Sequence, residues 1–338
     1  MERLKVADLL HGPALRAESG GPVPAIVVVD LDETDWERSD PIVSALRARR
    51  SPLLVGLATA PLPDRSAELL AELTCTLAPA GPGVQWARPE SGDLERILTS
   101  VATAPLAATT LEGLLRLTSA VDVAEGLLAE SLAYSMLLGG TEFARWRSRR
   151  PRRPIPEADE PVLLARAEGR LTVTLNRPER HNAFGAAVRD GLVQALELAT
   201  LDRTVAEVVV RGNGSSFCSG GDLDEFGTAG DLAAAHLLRL QLNAGQAVHR
   251  LRDRVRFEVH GACIGAGVEI PSFADRVIAQ RDAYFQLPEL AMGLVPGAGG
   301  TVSLTRRIGR WRTAFMALTN RRFDAPTARE WGLVDDLH

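Results

Sequence analysis

The sequence predicts an α/β protein. In its second half, a buried strand, a glycine-rich turn and a helix follow one another twice, an order of elements typical of α/β folds. The first half contains two apolar runs of the kind that form buried strands, with a helical stretch between them. At 338 residues, the chain has room for about two domains of ordinary size.

Composition narrows the classes of protein and partner. Hydrophobic residues make up 46% of the chain and charged residues 24%, which allows a sizeable buried core. The net charge of −5 and the scarcity of aromatic residues argue against a nucleic-acid partner. Lys5 is the single lysine, so an arginine cluster by itself does not indicate a site. No apolar run approaches the length of a membrane span and the three cysteines form no C-x-x-C pair, so we expect a cytoplasmic protein without a membrane partner.

A stretch rich in proline and arginine divides the chain. Four prolines fall within residues 151–161, and each one removes a backbone donor, so a continuous helix is not expected there. We predict a linker over residues 147–160, between a non-catalytic α/β domain at 1–146 and a second domain at 161–338. The alternative interpretation of the arginines is a basic tail that binds a polyanion.

Before the linker, two buried strands are predicted over residues 24–31 and 51–58, with a helix over 41–50 between them. Two further helical stretches follow, over residues 93–102 and 111–146, and the second has the length of a helical hairpin. After the linker, the pattern predicts, in order, a strand over 171–175, a helix over 183–199, a strand over 206–211, one amphipathic helix over 231–252 with Leu237, Leu240, Val248 and Leu251 on its apolar face, and a strand over 255–260.

Two glycine-rich turns are the first functional signal. Gly220–Gly221 and Gly265–Ala266–Gly267 each lie between a strand and a helix, where backbone N–H groups point outward without a partner. Two such turns facing each other could supply two donors to one developing oxyanion. The alternative is that both are tight turns that need a positive φ and bind nothing. Neither matches the dinucleotide-binding pattern G-x-G-x-x-G.

Two acids in apolar surroundings are the second signal. Glu269 lies three residues after Ala266, on the same helical face, and Glu289 follows a short strand and Pro288. Burial raises the pKa of a carboxyl, and a second carboxyl nearby raises it further, so one could act as an acid and the other as a base. The sequence does not show that they are close, and the alternative for each is a surface or ion-paired acid.

A different chemistry is suggested near the first strand. Asp30, Asp32 and Thr34 fit the D-x-D-x-T pattern of haloacid-dehalogenase-like phosphatases. Such enzymes also use a downstream basic residue, usually lysine, and a further acidic pair for magnesium. The single lysine lies upstream, so acids that simply end a buried strand are the other interpretation.

Five sequence blocks, in order, resemble the crotonase superfamily, also called the enoyl-CoA hydratase/isomerase family. They are LNRPERHNAF at 175–184, SFCSGGDLDEF at 216–226, HGACIGAGVEI at 260–270, QLPELAMGLVPGAGGT at 286–301 and FDAPTAREWGLVDDL at 323–337. The resemblance covers about half of the chain. It implies a spiral of strand–strand–helix units for this half.

The resemblance also implies residue roles. The two oxyanion amides fall on Gly221 and Ala266, where relatives commonly have glycine at the second position. The two acids fall on Glu269, which would activate water, and Glu289, which would deliver a proton to the α-carbon. Arg180 would lie near the coenzyme A phosphates. The remaining substrate-binding positions are Ala183, Ser219, Gly220, Gly265, Pro296 and Gly297.

The implied reaction is the hydration of a 2-enoyl-CoA thioester to a 3-hydroxyacyl-CoA, or the reverse dehydration. It needs no metal and no cofactor beyond the coenzyme A of the substrate, and the family implies a homo-oligomer, a trimer or a multiple of it. Two alternatives stay open: an enoyl-CoA isomerase, and a catalytically weak partner or scaffold subunit.

The chain departs from the family in its layout. Relatives continue past the fifth block into helices that close the acyl pocket, whereas this sequence ends at His338. Residues 111–146 are similar to those helices, and the strand–turn–helix rhythm of the first half resembles that of the second. We therefore expect a diverged crotonase-like half whose helices replace the missing ones.

Overall fold

The computed structural model describes residues 3–10, 26–47, 53–151, 153–155 and 159–338, and within them it is a mixed α/β structure. The strands are β1 (Arg3–Lys5), β2 (Ile26–Asp30), β3 (Leu53–Leu57), β4 (Cys75–Leu77), β5 (Val162–Ala167), β6 (Arg170–Leu175), β7 (Glu207–Gly212), β8 (Val255–Val259), β9 (Ala262–Ile264), β10 (Arg276–Ala279), β11 (Tyr284–Gln286), β12 (Phe323–Asp324) and β13 (Asp336–Leu337). The α-helices are α1 (Asp40–Arg47), α2 (Ala67–Glu72), α3 (Asp93–Thr103), α4 (Pro105–Thr118), α5 (Val123–Leu138), α6 (Thr141–Ser148), α7 (Ala186–Leu201), α8 (Leu232–Gln241), α9 (Ala244–Arg250), α10 (Ala266–Glu269), α11 (Gly300–Thr319) and α12 (Ala325–Trp331).

The predicted N-terminal strands and helix are present. β2 and β3 form where the two apolar runs lie, and α1 forms between them. Parts of these predictions, at residues 24–25, 48–50 and 51–52, lie outside the described residues. The same holds for positions 152 and 156–158 of the predicted linker, whose other residues belong to no strand and, after Ser148, to no α-helix.

The N-terminal sheet is parallel throughout, in the order β1-β2-β3-β4. Successive side chains of a strand point to opposite faces of a sheet. Leu54 of β3 accordingly packs into a small core with α1 and α2, whereas Leu53 and Val55 pack into the main core. Both faces of the sheet are therefore covered, which explains why its strands read as unbroken apolar runs.

The second half is built from two sheets that the chain visits in turn. β8 lies in a six-stranded sheet of order β13-β10-β8-β7-β6-β5, and β9 lies in a three-stranded sheet of order β12-β11-β9; α10 then follows. β10 and β11 repeat this step before α11. These are the strand–strand–helix units that the resemblance implies, and the fold expected for this half is confirmed.

Helices from before the linker pack on the second half. α4 and α5 contact α11, and α5 also contacts α8. The Thr118 hydroxyl donates to the Thr301 carbonyl at 2.7 Å, and the Arg306 guanidinium donates to the carbonyls of Thr118 and Val121. Buried apolar side chains of α3, α4 and α5 belong to the same core as those of the six-stranded sheet.

The prediction of a two-helix hairpin over 111–146 is wrong, because three helices, α4, α5 and α6, occupy this stretch. Asp122 is the N-terminal capping residue of α5. Its carboxylate accepts from the Glu125 N–H, and the Glu125 carboxylate accepts from the Asp122 N–H. Gly139 and Gly140 then separate α5 from α6. Local capping chemistry therefore divides a stretch whose hydrophobic pattern is continuous.

The single amphipathic helix predicted over 231–252 is also wrong. Asn243 caps a new helix by accepting from the Gln246 N–H at 2.8 Å, so the chain breaks into α8 and α9. Of the predicted apolar face, Val248 and Leu251 are buried, whereas Leu237 is 65% exposed. The break rotates the first half of the predicted apolar face away from the core.

No single helix in the described part of the chain is long and apolar enough to cross a bilayer. α3 and α4, which meet at an angle of 108°, reach the required length and hydropathy only when they are taken together.

Candidate active site

The two glycine-rich turns lie side by side. The Cys218 N–H donates to the Ala262 carbonyl at 3.1 Å, and the Ile264 N–H donates to the Cys218 carbonyl at 3.0 Å. Gly220 and Gly265 both have a positive φ, of 92° and 49°, which side chains rarely tolerate. The two turns that the sequence singled out therefore form one structural unit.

The two predicted oxyanion amides open onto one cavity. Gly221 and Ala266 both line it, and neither N–H donates to a protein acceptor among the residues that the structure describes. Ala266 is the first residue of α10 and has helical backbone geometry, so alanine here needs no positive φ. The alanine therefore leaves the N–H available, as the sequence analysis required.

The two acids converge on the second turn. Glu269 ends α10, and Glu289 begins a 3₁₀ helix directly after β11 and Pro288. A β-carbon placed on Gly265 would lie 2.6 Å from Oε1 of Glu289 and 3.7 Å from Oε1 of Glu269. The glycine thus leaves room for two carboxyls beside the oxyanion amide, a proximity that the sequence alone did not establish.

The two carboxyls are held differently. Oε2 of Glu269 accepts from the backbone N–H groups of Ala298 and Gly300, each at 2.8 Å. Oε2 of Glu289 is buried and has no hydrogen-bond partner within the described residues. Two backbone N–H groups of another segment therefore favour the charged form of Glu269, whereas the hydrogen bond that lowers the pKa of Glu289 comes from its own backbone.

Burial shifts the pKa of both acids in the same direction. Loss of water raises the pKa of Glu269 to about 7, against the two backbone hydrogen bonds, which lower it. The same loss of water raises the pKa of Glu289 well above its ordinary value, and the Glu269 charge raises it further. Both carboxyls therefore resist ionisation more than an exposed glutamate does.

A third buried glutamate, Glu130 of α5, completes the anchoring of this loop. Its Oε1 accepts from the Gly299 N–H at 2.7 Å, and its Oε2 accepts from the Thr301 N–H at 2.9 Å and the Thr301 hydroxyl at 2.7 Å. At the start of α11, the four successive N–H groups of residues 298–301 donate alternately to Glu269 and to Glu130. The first N–H groups of a helix have no acceptors within the helix, and two carboxylates provide those acceptors here.

Burial and the nearby Glu269 charge also raise the pKa of Glu130, to about 8, while its hydrogen bonds with Thr301 and Gly299 lower it. Three carboxyls that resist ionisation therefore lie around one loop. Clusters of this kind are found at functional sites more often than elsewhere.

The cavity beside the two amides has a volume of about 360 Å³. Glu269, Glu289 and Gly297 line it at the turns. Apolar side chains of α5 and α8 and of the segments beside α7, α8 and α10 form much of its remaining wall, among them Leu138, Phe184, Phe226, Leu232, Ala235, Leu238, Leu242 and Ile270. The site can therefore hold an apolar chain next to the acids.

The other predicted substrate-binding residues lie around this cavity rather than in its wall. Ala183 precedes the lining residue Phe184, and Gly220, Gly265 and Pro296 are likewise next in the chain to lining residues. Ser219 lies two residues before the lining residue Gly221. The guanidinium of Arg180 donates to Asp222 at 2.7 Å and to Asp224 at 2.8 Å. Its charge is offset by these two acids, and its contact with coenzyme A phosphates stays a prediction.

Sequence reasoning missed much of the cavity wall and, among the polar residues of the site, Glu130, Tyr134 and Arg239. Gly126, Leu127, Glu130, Ser131, Tyr134 and Leu137 form the buried face of α5, so helical spacing already placed Glu130 on an apolar face. The spacing alone could therefore have identified Glu130 as a buried acid. Arg239 had none, because arginines are frequent throughout the chain.

A buried pair of carboxyls beside two unpartnered amides is suited to an enzyme that moves protons and stabilises an oxyanion. A family model described as enoyl-CoA hydratase/isomerase matches residues 166–338. The chain belongs to the enoyl-CoA hydratase/isomerase family.

Individual relatives differ in reaction. The chain is 35% identical to 2,3-dehydroadipyl-CoA hydratase of Escherichia coli, over 52% of its own length and 68% of the relative's. It is also 35% identical to 1,2-epoxyphenylacetyl-CoA isomerase of the same organism, over 51% of this chain and 68% of that one. A solved enoyl-CoA hydratase of Mycobacterium smegmatis is 31% identical, with a TM-score of 0.49 over 53% of this chain and 70% of that one.

Proposed function

We propose that the protein hydrates 2-enoyl-CoA thioesters to 3-hydroxyacyl-CoA, or catalyses the reverse dehydration. The observation that supports this most directly is the convergence of Glu269 and Glu289 on Gly265, next to the unpartnered N–H of Ala266. Hydration needs both a base for water and an acid for the α-carbon, and this site has one carboxyl for each.

The proposed roles follow from how the carboxyls are held. The thioester oxygen accepts from the N–H groups of Gly221 and Ala266, which stabilise the negative charge that develops there. Glu269, whose backbone hydrogen bonds favour the charged form, takes a proton from water as the water attacks the β-carbon. Glu289, whose pKa is raised further by its neighbour, gives its proton to the α-carbon. The coenzyme A belongs to the substrate, and the reaction as proposed uses no metal and no other cofactor.

Isomerisation is the second candidate, because relatives of similar identity are named as isomerases. Moving a double bond requires one carboxylate to remove a proton as a base. The protonated carboxyl then returns the proton to another carbon, without added water. The same amides would stabilise the same enolate charge. A single carboxyl suffices for this reaction, so the two candidates predict different effects of removing Glu269.

The test is turnover of purified full-length protein with short, longer and aromatic 2-enoyl-CoA substrates, and with a 3-enoyl-CoA. For hydration, we expect consumption of the 2-enoyl thioester and loss of turnover by at least about 100-fold in both Glu269→Gln and Glu289→Gln, the scale of general acid–base catalysis. Glu95→Gln, an exposed position on α3, is the matched control and should be unaffected.

Turnover of the 3-enoyl substrate alone, with Glu269→Gln still active, would assign isomerisation instead. Binding of coenzyme A thioesters without turnover of any of them would assign the catalytically weak partner or scaffold protein.

A further inference from the structure

Arg239 stands out in the wall of the cavity. It lies on α8 and lines the cavity together with the apolar side chains of the same helix, Leu232, Ala235 and Leu238. An isolated cation is costly to remove from water, and burial lowers the pKa of Arg239. Arg239 is half-buried, so part of its guanidinium is left to water or to a ligand in the cavity.

The side chain is held in a defined orientation. Its Nε donates to the Ser131 hydroxyl at 3.1 Å, Nη2 donates to the Ser135 hydroxyl, and the guanidinium carbon lies 4.9 Å from the centre of the Tyr134 ring. Ser131 is itself in contact with Nδ1 of His236 at 2.8 Å. Two neutral hydroxyls and an aromatic face orient the guanidinium. The Glu130 charge, which lies beyond ion-pairing distance, favours the charged form of Arg239, and the Arg189 charge opposes it.

A comparison with Arg189 shows the difference. Arg189 also lines the cavity, and its guanidinium pairs with Asp190 at 2.7 Å. Arg239 has no carboxylate within ion-pairing distance among the described residues, and its Nη1 has no acceptor there. A guanidinium with a free edge binds a carboxylate through paired hydrogen bonds.

The position relative to the acids sets where such a carboxylate would lie. Tyr134 packs against Gly297, where an added β-carbon would come within 2.4 Å of the ring. Ala298, the next residue, anchors Glu269. Arg239 is thus separated from the acid-bearing loop by one aromatic side chain. A group bound to it would belong to the same substrate molecule, at the end of the acyl chain away from the thioester.

We propose that the acyl pocket selects enoyl thioesters whose acyl chain carries a carboxylate at its far end, and that Arg239 binds this carboxylate. The inference rests on the proposed function for the thioester end and adds the substrate class. Apolar wall residues such as Leu138 and Leu242 contact the methylene segment, and the anion replaces the water that a free guanidinium would retain.

The test compares two 2-enoyl-CoA substrates of equal chain length, one ending in a carboxylate and one in a methyl group, with wild type and Arg239→Met. We expect wild type to show a kcat/KM about tenfold or more higher for the carboxylated substrate, the scale of a charge-assisted hydrogen bond. Arg239→Met should lose this preference. Arg250→Met, an exposed arginine on α9, is the control and should keep it.

Binding of the two saturated acyl-CoA analogues, measured by calorimetry, separates this inference from the proposed function. A preference for the carboxylated analogue without turnover of any substrate supports the role of Arg239 and defeats hydration. Equal kcat/KM for the two substrates in wild type, or a preference that persists in Arg239→Met, overturns the inference. The wild-type comparison needs no variant, so it stands even if Arg239→Met fails to fold.

Discussion

At the scale of single residues, the site depends on backbone groups as much as on side chains. Gly265 adopts φ 49° and ψ −120°, and this turn presents the N–H of Ala266 to the cavity. The buried position holds the methyl side chain of alanine without a positive φ, and the N–H keeps its place at the cavity. This explains how the chain carries alanine where relatives commonly have glycine.

Ala266→Pro tests this directly. Ala266 is the first residue of α10, a position that tolerates proline because its N–H has no partner within the helix. The variant should fold, yet lose one of the two oxyanion donors, and we expect kcat to fall by about 10²–10³-fold. Steady-state kinetics and circular dichroism provide the two measurements. Ala266→Gly keeps the N–H and should retain kcat within a few-fold; an unchanged kcat in the proline variant would remove Ala266 from the oxyanion hole.

At the scale of elements, α5 connects the N-terminal half to the site. Its buried face supplies Glu130 to the loop that holds Glu269, and Tyr134 to the cavity wall. The helix begins with the reciprocal cap between Asp122 and Glu125. One element from before the linker thus supports the anchoring of an acid that follows it.

Glu130→Ala should therefore weaken both stability and turnover. It leaves the N–H groups of Gly299 and Thr301 buried without acceptors, at a cost of about 1–3 kcal/mol in the free energy of unfolding. The loop that orients Glu269 loosens, so kcat should fall more than KM changes. Urea denaturation and kinetics measure the two effects. The matched control is Glu197→Ala on an exposed face of α7, expected to change stability by less than about 0.5 kcal/mol; a Glu130→Ala protein as stable as that control would contradict the anchoring role.

At the scale of the whole molecule, the two halves share contacts that neither could satisfy alone. The guanidinium of Arg310 on α11 donates to the carbonyls of Leu73 and Ala71, and Arg321 pairs with Asp93 on α3 at 3.1 Å. The main core runs from β3 and β4 through α3–α5 into the six-stranded sheet. The helices before the linker thus cover the second half.

Deleting residues 1–150 should consequently leave residues 161–338 insoluble or inactive. The deletion exposes the apolar surface that α4 and α5 cover and removes Glu130 and Tyr134 from the site. Solubility after expression, followed by the enoyl-CoA assay, is the measurement. A soluble, monodisperse fragment with full activity would show that the N-terminal half is dispensable.

Much of the second half could be predicted from its sequence, because local patterns determine it. The strand–turn–helix order, the two glycine turns, and the positions of Glu269 and Glu289 after their turns are properties of short segments. The two helix breaks that the predictions overlooked could also have been identified from local sequence, because Asn243 and Asp122 are of residue types common at helix N-termini. They were overlooked because the hydrophobic periodicity continues across both capping residues.

What the sequence by itself determined is the chemistry available to the chain: two acids and two backbone turns, each defined within about ten residues. Only the tertiary structure decided that both acids converge on Gly265, that Glu130 shares residues 298–301 with Glu269, and that Arg239 lines the same cavity. These are contacts between residues that lie far apart in sequence. They depend on how helices pack across a shared core, and a hydrophobic pattern specifies which faces are buried but not which partner each face meets.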